Sequence, residues 1–322
     1  MKSYKKKVKK ALDNVVLRAA MDRFFLAYRQ ARETAFEGLD REGLIREVAR
    51  IKDTAVADLD VLYDRFRAEA GKKGIIVHLA RDAQHANEII STIARVSSSE
   101  KIIKSKSMTA EETLLNRYHE DKGFTVTETD LGEWIIQLRG EGPSHMVMPA
   151  IHLSRLQVAD LFSNVTGRDQ EDDIEKLVKV ARRELRREFV QADMGITGAN
   201  FVIADTATIG LNTNEGNARL VTTLPRIHVV LAGLDKLVPS LDEALAIMRV
   251  LPRNATGQRI TSYVTWISGP APWQGTADQE KQLHIVFLDN GRRKLAKDPV
   301  FSQALRCVRC GACTNVCPVY RM

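Results

Sequence analysis

The chain has 322 residues, 44% of them hydrophobic and 28% charged, with Gly and Pro not in excess; this is an ordinary globular composition, enough for one large or two ordinary domains. A formal net charge of +7 invites nucleic acid, but acidic residues nearly match basic ones and aromatics are only 6%, with no Arg interleaved among stacking platforms, so nucleic-acid binding is not expected. No apolar run approaches the roughly 20 residues that span a bilayer, and the basic start is interrupted by Asp13, Arg18, Asp22 and Arg23, so neither a transmembrane segment nor a secretory signal is expected.

A cytoplasmic location follows from that reading, and the lysine-rich tip reads as a solvated end. From Lys5 to about Arg67 the pattern is helical, with Leu44, Ile45, Val48, Ile51 and Ala55 recurring on one face. Gly38 and Gly43 bracket a turn between two helices, and "GKKG" at 71–74 is a breaker. "GIIVHLA" reads as a buried strand, "RDAQHANEIISTIARV" as a helix and "EKIIKSKS" as a strand. "TAEETLLNRYHEDKG" reads as one helix, with Thr109 and Glu112 at capping-box spacing and Gly123 at its stop. "TVTETDLGEWIIQLRG" and "HMVMPAI" are expected as strands, and "SRLQVADLF" as a helix boxed by Ser154 and Gln157.

Residues 171–191 form an amphipathic helix with Ile174, Leu177, Val178, Ala181, Leu185 and Phe189 on one face and a solvated basic run, "ARRELRREF", on it. "FVIAD", "TIGLN", "RLVTTL" and "RIHVVLAG" read as strands, and "SLDEALAIMRVL" as a helix with Ser240 and Glu243 at its start. Two strands, "RITSYVTWIS" and "HIVFLDN", flank a Pro/Gly loop at 269–275, and "FSQALR" is a short helical lead. Strands alternating with helices predict an α/β fold with a parallel sheet covered by helices.

All four cysteines fall in the last residues, "CVRCGACTNVCPVYRM". Cys307, Cys310, Cys313 and Cys317 have the spacing C-x2-C-x2-C-x3-C, and Pro318 follows; this is the bacterial ferredoxin run. A Cys every third residue brings thiolates onto neighbouring iron corners, Gly311 lets the backbone wind closely, and loop amides point at the sulfurs. Structural zinc prefers separated pairs, and disulfides are not expected in a reducing compartment. In two-cluster proteins the fourth Cys of this run ligates the other cluster. Cys307, Cys310 and Cys313 are then assigned to cluster one and Cys317 to cluster two, and the sequence lacks further cysteines to complete a pair of [4Fe–4S] clusters. Arg306, Arg309 and Arg321 beside the cysteines are expected to raise the cluster potential and favour an acidic redox partner.

The segments "SKSMTAEE", "ETDLGEWIIQL", "PSHMVMPAIH", "ADMGITGANFVIADTATIGLNTNEGN", "NATGQRITSYVTWISGP", "VFLDNGR" and "CVRCGACTNVCPVYR" together resemble the lactate-utilisation protein B family, over nearly the whole chain and in order. The resemblance implies a LUD domain, similar in fold to the ribose-5-phosphate isomerase and CoA-transferase group, and a ferredoxin-like C-terminal part with two [4Fe–4S] clusters. It divides the chain into an N-terminal helical region at 1–70, the LUD domain at 71–298, and an incomplete ferredoxin-type segment at 299–322. The implied role is iron–sulfur electron transfer during oxidation of L-lactate to pyruvate, with the other subunits of the lactate-utilisation system, an electron donor and an acceptor as partners. The implied second cysteine set is absent, so the chain reads as truncated after the first motif. The family tends to read Thr-Gly where this chain has Thr206-Ala207, which puts a loop needing positive φ in doubt.

A small-molecule pocket is expected around Lys106, Glu215, Asn217 and Gln258, polar residues at apparent strand or loop ends, where open α/β sheets place ligands. "NEGN" at 214–217 is first a tight turn. By fold analogy Glu215 is also the place for a nucleophilic carboxylate, which makes an enzyme of the CoA-transferase or isomerase type, with a structural cluster, the alternative function. His145 and His152 read as structural histidines.

Overall fold

A computed structural model describes residues 2–272, 280–318 and 320. The N-terminal part folds as four helices, α1 (Lys2–Leu12), α2 (Val15–Phe36), α3 (Arg41–Ala57) and α4 (Leu59–Lys72). Asn14 caps α2 by accepting the Leu17 amide, and Asp40 caps α3 by accepting the Gly43 amide. Gly43 therefore sits in the first turn of α3, and Gly38, at φ +73, makes the turn. Leu44, Val48, Ile51 and Ala55 are buried as the helical period requires, while Ile45 is exposed.

The α/β part follows as β1 (Ile75–Ala80), α5 (Ala83–Val96), β2 (Lys101–Lys104), α6 (Met108–Glu112), α7 (Leu115–Glu120), β3 (Thr125–Glu128), α8 (Leu131–Arg139), α9 (Arg155–Thr166), α10 (Ile174–Gln191) and β4 (Met194–Thr197). It continues through β5 (Phe201–Ile203), β6 (Thr208–Thr213), α11 (Asn217–Thr223), β7 (Ile227–Gly233), β8 (Leu237–Val238), α12 (Leu241–Thr256), β9 (Tyr263–Ile267) and β10 (Gln282–Leu288). The chain then runs through α13 (Arg292–Ala296), a 3-10 turn (Phe301–Arg306) and α14 (Ala312–Asn315).

Six strands form a sheet in the order β1-β10-β7-β4-β2-β3, parallel at every pairing. Its central strands are apolar on both faces, as a doubly covered parallel sheet requires: all seven residues of β7 are buried. A second sheet, β8-β5-β6-β9, lies beyond the parallel sheet that the sequence predicts; its β6 pairs antiparallel with β5 and β9. Four apolar clusters hold the layers together. Leu59, Leu62, Phe66 and Ala70 of α4 pack with β1, β10 and residues of the second sheet, and Phe36, Leu44, Val48 and Ile51 pack with α12, β5 and β8. The N-terminal helices thus share their cores with the sheets. On the opposite side α5 packs over β2, β4 and β7, and α8, α9 and α10 gather around Phe162.

Several expectations need correction. "TAEETLLNRYHEDKG" is two short helices, because Leu114 turns left-handed at φ +51, and the cap is Ser107, whose hydroxyl accepts the Ala110 amide. Thr109 and Glu112 form no capping box; Glu112 has other work. In "TVTETDLGEWIIQLRG" only residues 125–128 are strand, and α8 follows because Asp130 accepts the Gly132 and Glu133 amides. "RLVTTL" is helix α11 rather than strand. "HMVMPAI" is an irregular loop: the ring Nδ1 of His145 accepts the Val147 and Met148 amides, and Ser144 donates to the Pro149 carbonyl. The Ser154 and Ser240 capping boxes are both present. On α10 Ile174 and Val178 are exposed while Leu177, Ala181, Leu185 and Phe189 are buried. Of the Pro/Gly loop, residues 273–275 lie outside the described residues.

Candidate functional site

The chain leaves β2 for β3 on one side and returns to β4 on the other, so the order reverses between β2 and β4. Ligands in open α/β sheets bind beyond the carboxyl ends of strands at such a point. A cleft of about 400 Å³ lies there. Ser105, Lys106 and Ser107 enter it after β2, Gly198 and Ala199 after β4, and Lys236 after β7. Asn212 and Thr213 at the end of β6, with the turn to α11, form another wall. A larger apolar groove of about 880 Å³ runs along α10 and α11 and meets the cleft at Glu215 and Asn217; it lacks the converging polar groups of the cleft.

Lys106, Glu215 and Asn217 all line this cleft, whereas Gln258 does not. Its side-chain oxygen accepts from Asn214 at 2.7 Å and from Thr256 at 2.6 Å, so it braces the turn that carries Glu215. The Lys106 ammonium donates to the Val147 carbonyl at 2.9 Å and lies 3.5 Å from Glu133. Burial pushes the Glu133 carboxyl up to about 7 against the pull of Lys106. Glu215 is also raised to about 7, by burial first and by Asp130 second, while the Leu131 amide opposes the rise. The residue as a whole is exposed, so solvent weakens the burial share, and the neighbouring Asp130 is the firmer cause of the direction. A raised carboxyl is less ionised at neutral pH, which works against a nucleophilic role.

Beneath the cleft, charges missed by sequence reading are buried in pairs. Lys104 is fully enclosed, with Glu128 at 2.7 Å and Glu111 at 3.2 Å. Burial would lower its ammonium, but the two carboxylates overcome this and hold it charged. Asp235 takes the Arg292 guanidinium, and its backbone carbonyl accepts the Lys52 ammonium. Arg292 also grips Glu112 with two hydrogen bonds of 2.9 and 2.8 Å. The only sequence signal for this layer is a charge at the end of an apolar run, in "KIIK" and "GLDK".

The cysteine segment docks on this layer. Arg309, between Cys307 and Cys310, donates to Glu112 and to the Met108 carbonyl. Burial would raise the Glu112 carboxyl, but hydrogen bonds from Arg292, Asn290 and Arg309 bring it down to about 2. Arg306 forks onto Asp53 of α3 at 2.6 and 2.8 Å, and the Asn315 amide donates to the Ala255 carbonyl at 3.1 Å. Cys310 lines the cleft and packs against the α3/α12 core. Arg306 and Arg309 are therefore committed to carboxylates of this chain, which weakens the field they were expected to present; Arg321 lies outside the described residues.

The loop winds through left-handed backbone at Arg309 (φ +58) and Gly311 (φ +79). A side chain on Gly311 would strike Val147 at 2.8 Å, so only glycine meets both demands. The Arg309 amide points at the Cys307 sulfur at 3.4 Å, and the Ala312 amide opposes the rise that burial imposes on the Cys310 thiol. Four thiols on a tight loop with amides aimed at sulfur fit a thiolate-held cluster in donor chemistry and backbone. The side chains are not gathered: no group of three His, Cys, Asp or Glu among the described residues is placed to hold a metal ion. Cys307 and Cys313 are exposed, and Cys310 and Cys317 are half-buried. His145 and His152 serve the loop over the cleft, His152 bonding Ser144 at 2.8 Å and Glu141 at 3.0 Å.

Ala207 keeps the conformation that glycine would favour, at φ +44, with its methyl fully buried in the core beside α4. No helix among the described residues is long and apolar enough to cross a membrane.

The LUD domain model matches residues 63–288. Lactate utilization protein B of Bacillus velezensis is 40% identical over 321 residues, covering 99% of this chain and 67% of that protein. The Bacillus subtilis protein of the same name is 39% identical over the same shares, and that of Geobacillus thermodenitrificans 42% identical over 84% of this chain and 57% of its own. The chain spans about two thirds of the length of the first of these relatives. A crystal structure of a DUF162 family protein from Deinococcus radiodurans aligns over 71% of this chain and 98% of its own, at 14% identity and a TM-score of 0.41. On the domain match and the near full-length identity, the chain belongs to the lactate utilization protein B family of LUD-domain proteins.

Proposed function

We propose that this chain serves lactate utilisation as an iron–sulfur electron-transfer component in the oxidation of L-lactate to pyruvate. One observation carries the reading: a ferredoxin-spaced cysteine loop, with amides aimed at sulfur, is fastened by Arg309 against the cleft at the sheet's switch point. Cys307, Cys310 and Cys313 would hold the first [4Fe–4S] cluster, and Cys317 would contribute to a second. When bound, such a cluster supplies one-electron transfer. The chain's own residues do the rest. Arg306 and Arg309 fix the loop to α3 and α6, and the Arg309 and Ala312 amides favour negatively charged sulfur. The exposed Cys307 and Cys313 leave one side of the loop open to an electron donor or acceptor among the other subunits of the lactate-utilisation system. We also assign the fold to the ribose-5-phosphate isomerase and CoA-transferase type, a reading supported by the six-stranded parallel sheet, and the protein to the cytoplasm.

Anaerobic reconstitution with iron and sulfide tests this. Iron and acid-labile sulfide should bind, with a reducible paramagnetic signal, and both should fall in Cys310→Ser while the secondary structure stays unchanged. Equal iron content in the native chain and in Cys310→Ser would remove the basis of the reading.

A further inference from the structure

The cleft contains one polar side chain with no hydrogen-bond partner among the described residues, Asn212, and one loosely paired cation, Lys236. Asn212 stands near the end of β6 and lines the cleft. Its backbone amide is used, donating to Asn200 at 2.8 Å. Its side-chain oxygen and nitrogen are both buried, and neither has a hydrogen-bond partner among the described residues. Lys236 follows β7, lines the same cleft and is 6% exposed. Its only carboxylate neighbour among the described residues is Asp235, 3.7 Å away, outside hydrogen-bond reach. Asp235 is already held by Arg292. The other two cations of the lining are occupied, Lys106 by Val147 and Glu133 and Arg309 by Met108 and Glu112.

Leaving both ends of a buried amide without partners is costly, and folded proteins rarely tolerate it away from sites where something binds; the nearby Lys236 ammonium, paired with Asp235 only at 3.7 Å, keeps donor capacity for a ligand. The unmet amide and the loosely paired ammonium specify their complement. The ammonium and the Asn212 nitrogen are donors and call for an oxyanion. The Asn212 oxygen is an acceptor and calls for a hydroxyl or another donor on the same ligand. A bare anion would satisfy only half of the amide. The volume of about 400 Å³ is at the small end of ligand sites.

We propose that this cleft binds a small hydroxylated oxyanion, its anionic oxygens on the Lys236 ammonium and the Asn212 nitrogen and its hydroxyl donating to the Asn212 oxygen. The anionic group is a carboxylate or a phosphate. The inference rests on the cleft alone and stands or falls separately from the iron–sulfur reading, because it is tested on the chain without a cluster.

Titration calorimetry on the full 322-residue chain uses two matched pairs, L-lactate against propionate and glycerol 3-phosphate against propyl phosphate. The hydroxylated member of one pair should bind at least about tenfold more tightly than its deoxy partner, since a site built for a hydroxyl rejects the analogue lacking it. The pair that responds identifies the anionic group. Asn212→Leu should abolish that difference, and Lys236→Gln should weaken binding of the whole pair. Thermal unfolding without ligand supplies the second readout. An amide with no partner contributes nothing to the fold, so Asn212→Leu should leave the melting temperature unchanged or raise it. A lower melting temperature would mean that bound water or protein satisfies the amide, and would overturn the proposal. So would four probes that fail to bind, or a preference for the hydroxyl that survives Asn212→Leu.

Discussion

Glu112 is the hinge between the sheet layer and the cysteine segment, and Glu112→Gln tests that role directly. The substitution keeps the shape and one acceptor but removes the charge that Arg292, Arg309 and Asn290 share. The folded carboxyl lies at about 2 against an ordinary 4.5; at about 1.4 kcal/mol per tenfold, the difference is worth roughly 3 kcal/mol. Its side chain is 22% exposed, so solvent recovers part of this, and a loss of about 2 kcal/mol is expected at pH 7. For a chain of this size that is a fall in melting temperature of about 3 °C.

The pH dependence carries a sign. Because the folded value is depressed, the stabilisation is complete above the unfolded value of 4.5 and is lost as pH falls towards 2. Urea unfolding of both proteins should show a constant gap from pH 6 to 8 that narrows below about 4.5. Thiol modification at pH 7 should also accelerate at the half-buried Cys310, since Arg309 loses its carboxylate. A gap below about 0.5 kcal/mol at pH 7, or one that stays the same down to pH 3, would refute the assignment of Glu112 as the charged anchor.

Glu133→Gln should act with the opposite sign. Its carboxyl is raised to about 7, so ionising it disfavours the fold increasingly between 4.5 and 7. The variant should match the native chain near pH 4 and be more stable at pH 8 by about 1–3 kcal/mol in denaturant titrations; a gap independent of pH would count against burial as the cause. Gly195→Ala should destabilise by about 1–3 kcal/mol or more, because the added methyl would lie 2.1 Å from the Val221 carbonyl oxygen, where α11 crosses β4; an unchanged melting temperature would show that α11 can slide away. Ala207→Gly removes left-handed strain of about 1–2 kcal/mol but gives up a buried methyl and adds glycine's chain entropy, together about 1.5 kcal/mol. The net change should be under about 1 kcal/mol, and a larger loss would show that the methyl dominates.

Periodicity and caps made much of the architecture legible. The 3.6-residue spacing in α3 and α10, the serine boxes of α9 and α12, and the β-branched runs of β1, β7 and β10 are local signals, and local physics answers them. The misassigned segments were those where a local choice depended on a distant partner. Apolar "LGEWIIQL" and "RLVTTL" can serve as strand or helix, and they become helices because their apolar residues pack on α9, α10 and β4. Short apolar runs are ambiguous in period alone.

The sequence by itself determined the α/β class, the cysteine spacing and its demand for a tight loop at Gly311, because these depend on residue types at fixed intervals. Only the tertiary structure decided where the chemistry gathers. Glu112 and Arg309 are 197 residues apart, and Asn212 and Lys236 lie on different elements that face one cleft. Their meaning comes from burial and partner geometry. A charge on a solvated turn and a charge buried beside a ferredoxin-spaced loop read the same in a linear chain, and differ only once the surrounding atoms exclude water.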